Sequence, residues 1–425
     1  MAMRRLRRRA ALALAAASAL LSLGCAAGGG DGLEDVSPSE LAIMVLPPEE
    51  LGTAADGLEP DGELSGTSTA ADAASGSVDP GDTPADIERS GRRTGYDLHL
   101  VDVDLGALQR RAGVVELATG VELFGTAEQA AGYRERVLGA YERFVGREIS
   151  PGVTLARADP EEADVGDEGT LVRSTLSGDG FVVHSTAVDF RVDDVVGTVL
   201  VSRADPEDAG EQALELARAL ERRIRAAAAG ELDDRPVQVE GARTGTPPTP
   251  PAGARGLARL ALALDDLPVG SFVDDEEYGG GGDGPSFRRA FALGLRKVGG
   301  SQLASLESSV VRTRSPAAAL TGLVSLALVL GGPQGPQFFA ESYAQGGRFR
   351  PREVRVSVVR VQGLPNAFVA LVRFRSPLGR IESALGVAAV GRHLGRVTAI
   401  APSGRLDPAD VARLLAAQAR RMARG

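Results

Sequence analysis

The sequence predicts an α+β fold built as two homologous modules in tandem, each an antiparallel β-sheet covered by helices. Three observations carry this. Leu171–Arg225 is a run of strand-type segments closed by Asp205-Pro206 and a helix, and it returns about two hundred residues later as Leu371–Met422, closed by Asp407-Pro408. A proline-rich stretch, Glu231–Arg255, stands between the copies. The chain has 425 residues, 43% of them hydrophobic, enough for two separate cores.

The amino terminus has the plan of a targeting segment. Arg4, Arg5, Arg7, Arg8 and Arg9 form a positive region, and Ala10–Leu23 is an apolar stretch too short to span a bilayer. Residues 1–24 are therefore expected to be removed as a signal peptide. Residues 25–38 are rich in Gly and acid with no apolar period, and read as a flexible tether with a reach of about 20 Å.

Module one is expected over 39–230. Leu41–Leu51 opens it, and 52–85, acidic and poor in large hydrophobics, is expected to be a mobile insertion. Arg92-Arg93 followed by Tyr96, Leu98 and Leu100 alternates as a strand, and Val114–Phe124 makes a second. Thr126, with Gln129 three residues on, has the spacing of a helix amino terminus. Val153–Leu155, the strands of Leu171–Val201 and the helix through Leu216, Leu220 and Ile224 complete the order β-β-α-β-β-β-β-α. Asp205 is expected to cap the last helix, with Pro206 as its first residue.

Residues 231–255 read as an extended linker around Pro247-Pro248-Thr249-Pro250-Pro251. Module two, 256–425, repeats the order. Leu257–Leu267 answers Leu41–Leu51, with Asp265-Asp266-Leu267 echoing Glu49-Glu50-Leu51. Arg288-Arg289 before Phe291 answers Arg92-Arg93, Ser315-Pro316 opens the middle helix, and Asp407-Pro408 the last.

Charge separates the modules. Residues 256–425 hold 22 basic and 13 acidic side chains, whereas 26–255 hold 20 basic and 44 acidic ones. Such opposition fits docking of one module on the other, approach of the basic module to an anionic surface, or neutral drift in surface charge. Of the 47 basic residues only Lys297 is lysine.

The motifs of catalysis are sparse. His99, His184 and His393 are not aligned by the repeat and none has helical metal spacing. Gly279–Gly284 formally contains Gly-x-Gly-x-x-Gly, but it follows the acidic run Asp274–Glu277 and leads into Pro285, so it reads as a loop and not a phosphate cradle. No catalytic, metal or cofactor residue is assigned, and nucleic acid is not expected as a partner. Aromatic residues make up 4% of the chain with no Trp, which leaves few stacking platforms.

One helix departs from its counterpart. Ala317–Leu330 has no charge, whereas the helix after Thr126 carries Glu128, Arg134, Glu135, Arg136, Glu142 and Arg143. About fourteen residues are too few to cross a membrane. A helix apolar all round is normally covered on more than one side, here by module one, a partner or lipid, so Leu323, Val324, Leu326, Leu328 and Val329 are candidate contacts to a partner or to lipid.

Two resemblances follow. Leu21-Ser22-Leu23-Gly24-Cys25 resembles the lipobox of bacterial lipoproteins, with Ser22 and Leu23 in swapped order. It implies acylation of Cys25, which is also the one cysteine of the chain. The module plan, the Arg-rich hairpins and the terminal Asp-Pro helices resemble the PsbP-like and LpqN-like lipoproteins of actinobacterial envelopes, which implies a sheet sandwiched by helices. The expectation is a protein lipid-anchored on the extracytoplasmic face of the cell membrane. It would act as a non-enzymatic binding or scaffolding component for an envelope protein or an amphiphilic ligand. The alternatives are an envelope hydrolase assembled from dispersed Asp, Glu and His residues, and a sensor or accessory subunit of a membrane complex.

Overall fold

Segments that alternate apolar with polar side chains pair into two antiparallel sheets in the computed structural model, which describes residues 38–232, 235–251, 253–281, 284–346 and 350–425. The expected signal peptide over 1–24, Cys25 and all but the last residue of the tether expected over 25–38 lie outside the described residues. The chain divides between Gly245 and Thr246 into two compact units.

The first unit holds β1 (Glu59–Pro60), β2 (Gly66–Ser68), β3 (Arg92–Val101), β4 (Val114–Phe124), β5 (Arg147–Ser150), β6 (Val153–Ala163), β7 (Glu168–Gly178), β8 (Phe181–Val192) and β9 (Val195–Arg203). Their order is β1-β3-β4-β9-β8-β7-β6-β5, with β2 also on β3. The second unit holds β10 (Phe272–Gly281), β11 (Gly284–Ala292), β14 (Ser305–Arg312), β15 (Arg352–Arg360), β16 (Ala367–Ser376), β17 (Gly379–Val390) and β18 (His393–Pro402), in the order β10-β11-β14-β18-β17-β16-β15. A small hairpin of β12 (Lys297–Val298) and β13 (Ser301–Gln302) stands apart.

The six strands β3-β4-β9-β8-β7-β6 follow the same path as β11-β14-β18-β17-β16-β15, in the β-β-α-β-β-β-β-α order expected from the sequence. The fold is α+β with two antiparallel sheets.

Each sheet buries one face under its terminal helix. In the first unit Leu98, Leu117, Val188, Phe190 and Val199 pack with Leu216, Leu220 and Ile224 of the Gly210–Ala228 helix. In the second, Phe287, Leu306, Val369 and Val397 pack with Val411, Leu414, Leu415 and Met422 of the Pro408–Arg424 helix. Each such side chain contributes about 1.5–3 kcal/mol on burial.

An ion pair of the same kind ties each terminal helix to the segment that opens its unit: Arg223 to Glu50 at 2.8 Å and Arg421 to Asp266 at 2.9 Å. The echo between Glu49-Glu50-Leu51 and Asp265-Asp266-Leu267 is thus an echo in position. Buried Asp410 holds the second helix further, accepting from the Gly300 and Ser301 amides at 2.9 Å and the Ser301 hydroxyl at 2.8 Å. A side chain at Gly299 (φ +66°) would collide with that carboxylate, which explains glycine there.

Four expectations need correction. Asp205 does not cap a helix: the helix starts at Gly210 after Ala209, and the Asp205 carboxylate instead accepts from the Gly113 amide and pairs with Arg203 at 2.7 Å. Asp407 does cap, accepting from the Ala409 amide at 2.9 Å.

The expected mobile insertion at 52–85 is folded instead. It carries β1, β2 and two short helices, Ala70–Gly76 and Pro84–Arg89, each closed by a Thr–Asp capping box, and it buries Leu64, Ala73, Ala74 and Val78. Local capping and small-residue packing replace the large hydrophobics that the composition lacks.

The linker expected at 231–255 is fastened near both ends, while its proline-rich centre belongs to neither core. Val237 is buried in the first core, Tyr96 donates its hydroxyl to the Val237 carbonyl at 2.6 Å, and Gly66 bridges to Arg243; Ala254 is buried in the second core. Gly279–Gly281, expected as part of a loop, instead lie with the acidic run Asp274–Glu277 in β10, where Arg288 pairs with Asp275, Glu277 and Glu307 and Arg289 with Glu276.

Candidate functional site

The second face of each sheet is where the units differ. In the first it is polar. Beneath the Ala127–Phe144 helix, capped by Thr126 through the Gln129 amide at 3.1 Å, lie Arg134 and Asp189, both buried, with Arg134 Nε 3.4 Å from the Asp189 carboxylate. Burial pushes the Asp189 carboxyl well up, against the pull of Arg134. Tyr133 and Tyr141 are raised by the same desolvation. Further along, His99 Nδ1 lies 2.9 Å from Glu116, and the Ser185 and Ser202 hydroxyls are 2.9 Å apart.

These groups do not form a catalytic arrangement. The Ser65 hydroxyl bonds the His99 backbone, at 3.0 Å from the amide, rather than the ring. His184 meets the Thr175 hydroxyl at 3.4 Å, and His393 belongs to β18 of the second unit. No group of three His, Cys, Asp or Glu able to hold a metal occurs among the described residues.

A cavity of about 410 Å³ lies beside the Pro84–Arg89 helix, lined by Asp82, Asp86, Arg89, Gln129, Tyr133 and Arg136. Its charges cancel pairwise, with Arg136 at 2.6 Å from Asp82 and Arg89 at 2.9 Å from Asp86. The Thr83 hydroxyl and Arg89 hold the Asp86 carboxyl below the usual value against the effect of burial, so it is ionised at neutral pH.

In the second unit the equivalent face is apolar. Ser315 caps the Pro316–Gly331 helix through the Ala318 amide at 3.1 Å, with Pro316 as first residue. Ala319, Leu323 and Leu330 are buried, and Leu323 and Leu330 pack on Phe368, Ala370, Val387 and Leu394. Leu326 and Ala327 are half-buried against the same cluster.

The outward side gathers exposed large apolar side chains. Leu320 is 42% exposed, Val324 45%, Leu328 70% and Val329 39%. The Gly335–Gly346 helix follows at a 102° bend and adds Phe338 at 40%, while Phe339 turns inward to stack on Phe374 at 5.4 Å. Among the described residues no single helix is long and apolar enough to cross a membrane, although the bent pair Pro316–Gly331 and Gly335–Glu341 together has that composition.

Of the five contact candidates, Val324, Leu328 and Val329 face outward. Leu323 belongs to the core and Leu326 packs inward, because positions 319, 323, 326 and 330 share the sheet-facing side at helical spacing. The helix is covered on one side, not all round. Leu320 and Phe338 complete the patch and were missed; Leu320 was legible, four residues before Val324 and eight before Leu328.

Arginines border the patch. Between 311 and 405 the sequence has 13 arginines and 3 acidic residues. Arg314 and Arg392 are exposed near the start of the helix, joined through the bond from the Thr313 amide to the Arg392 carbonyl at 2.8 Å. Arg350 and Arg352, also exposed, follow the helix pair.

No family model matches the chain, and no curated protein matches it. Among solved structures it is similar to the extracellular domain of PknH from Mycobacterium tuberculosis, at 14% identity and a TM-score of 0.29, covering 46% of this chain and 99% of that one. It is also similar to the immunity protein TplEi of the T6SS from Pseudomonas aeruginosa, at 13% identity and a TM-score of 0.15, covering 73% and 87%. For DynU16, a putative protein in the dynemicin biosynthetic locus, the identity is 14% and the TM-score 0.13, covering 65% and 80%.

Proposed function

We propose that this chain is an exported protein of the bacterial cell envelope, anchored by acylated Cys25 on the extracytoplasmic face of the membrane. It serves there as a non-enzymatic binding or scaffolding component. The observation that carries the reading is the outward face of the Pro316–Gly331 helix, where Leu320, Val324 and Leu328 stand open to solvent. Contiguous apolar surface costs solubility and is characteristic of contact sites. The first unit has a charged helix at the same place in the same strand order, so the fold does not require an apolar one.

The two units descend from one duplicated module of the PsbP-like or LpqN-like kind. The shared strand path supports this, as do the helix-anchoring pairs Arg223–Glu50 and Arg421–Asp266. Duplication kept the framework, and the second copy then acquired its contact face.

The test places a photo-crosslinking residue at position 324 in living cells, with position 359 on edge strand β15 as control. An adduct formed at 324 and not at 359 is expected. Equal yields at both positions would remove the contact role. The anchor is tested separately: labelled palmitate should enter the chain, and Cys25→Ser should move it from membrane to soluble fractions.

A further inference from the structure

We infer that the occupant of the apolar face is an anionic phospholipid surface, into which the bent helix pair Pro316–Glu341 dips at the level of the headgroups. This rests on the contact role proposed above and names its partner.

The helix pair has the composition of a membrane segment but not its geometry. A 102° bend prevents a straight span, and the inner side of the first helix is committed to Phe368, Val387 and Leu394. What remains for lipid is one side: Leu320, Val324, Leu328 and Val329, continued round the bend by Phe338. A helix with one apolar side free and the other packed on a rigid sheet can enter the interface only to about the depth of its side chains.

Charge complementarity names the kind of lipid. Arg314, Arg350, Arg352 and Arg392 are exposed at the two ends of the helix pair, and none makes an ion pair with a described acidic residue. The helix pair itself, Pro316–Gly346, has a single acidic residue, Glu341. Arginine forks beside an inserting apolar face suit phosphate oxygens and anionic headgroups. A protein partner of ordinary composition would need a comparable acidic rim. A second copy would set like-charged rims against each other.

The chain has no tryptophan, so one introduced indole reports its own surroundings alone. The experiment uses the chain from position 25 onward with Cys25→Ser, which keeps every described residue and removes the apolar leader and the acylation site. Leu328→Trp is mixed with vesicles of phosphatidylcholine alone, or of phosphatidylcholine and phosphatidylglycerol in equal parts. A blue shift is expected with the anionic vesicles, weaker at high salt, and none from Val359→Trp on the opposite face of the sheet. Val324→Glu with Leu328→Glu should weaken co-sedimentation by at least about tenfold, the loss of one buried leucine, with an unchanged thermal midpoint.

Binding that the Glu pair leaves intact and salt abolishes would overturn the insertion and leave only an arginine surface. Self-association that the Glu pair abolishes, without vesicle binding, would assign the face to a second copy. A crosslink at position 324 to protein alone, with no vesicle binding, would overturn the lipid inference and leave the contact role standing.

Discussion

Leu328 and Leu330 stand two residues apart on one helix and meet opposite surroundings: Leu330 is 4% exposed, within the cluster that includes Phe368 and Val387, and Leu328 is 70% exposed. Helical geometry puts neighbours at such spacing on different sides, and here the sides are sheet and solvent. Leu330→Ala should therefore cost about 2–4 kcal/mol through lost burial and a cavity. Leu328→Ala should change stability by no more than about 0.5 kcal/mol. Urea unfolding of the two variants compares them directly, and similar losses for both would show that Leu328 is covered.

The two Asp-Pro pairs should respond differently. Asp407 caps the Pro408–Arg424 helix, so Asp407→Ala should cost about 1 kcal/mol. Asp205 caps nothing; Arg203 and the Gly113 amide hold its carboxyl below the usual value against a smaller effect of burial. Its contribution is then present above the unfolded carboxylate value and lost as pH falls through the lower folded value. Stability curves of the parent chain and Asp205→Asn should converge in that acid window, whereas Asp407→Ala should remain displaced at neutral pH.

Arg243 fastens the strap 235–245 to the first unit by pairing with Asp72 at 2.8 Å and Asp97 at 2.9 Å. Burial pushes the Asp72 carboxyl up, but Arg243 and Thr69 together outweigh it and hold the group below its usual value. Arg243→Ala strands both carboxylates and should cost the first unit about 3 kcal/mol. With Asp72 depressed in the folded state, the clamp is at full strength above the unfolded carboxylate value and weakens as pH drops through the folded one. Hydrogen exchange of the Val237 amide, bonded to the Ala42 carbonyl at 3.0 Å, reports the strap locally and should accelerate in the variant.

His393 should titrate below an ordinary histidine, because burial, then Arg392 and Arg312, disfavour its charged form. The unfolded chain then binds this proton more readily than the folded one. Stability owed to the neutral ring is present above the ordinary histidine value and declines as pH falls from there toward the folded value. An imidazole resonance of His393 with a midpoint at or above the ordinary value would contradict the packing of β18 described here.

Much of the framework was legible because it is written in local periodicity. Val114–Phe124 was readable as a strand to its end residues, and Thr126 and Ser315 as caps, since both signals act within a few residues. The register of the terminal helices was not. Asp205 and Asp407 lie 202 residues apart, but Arg223 and Arg421 lie 198 apart, as do the N-cap residues Ala209 and Asp407. The matching dipeptides suggested one alignment and the packing chose another, because a helix is placed by the side chains it buries and not by the turn before it.

The candidate site divides the same way. Sequence by itself determined that the helix after Ser315 is uncharged and that arginine dominates its surroundings, since composition needs no coordinates. It also determined the chain order of the six strands and two helices that the units share, through the period-two and helical patterns that backbone geometry imposes. Only the tertiary structure decided which apolar side chains are free. Leu323 and Leu326 are spent on the sheet while Leu320, Val324 and Leu328 are not, and that depends on strands later in the chain, through Phe368, Val387 and Leu394. Burial is a relation between distant segments. The sequence lists the residues available for contact, and the fold selects those left over.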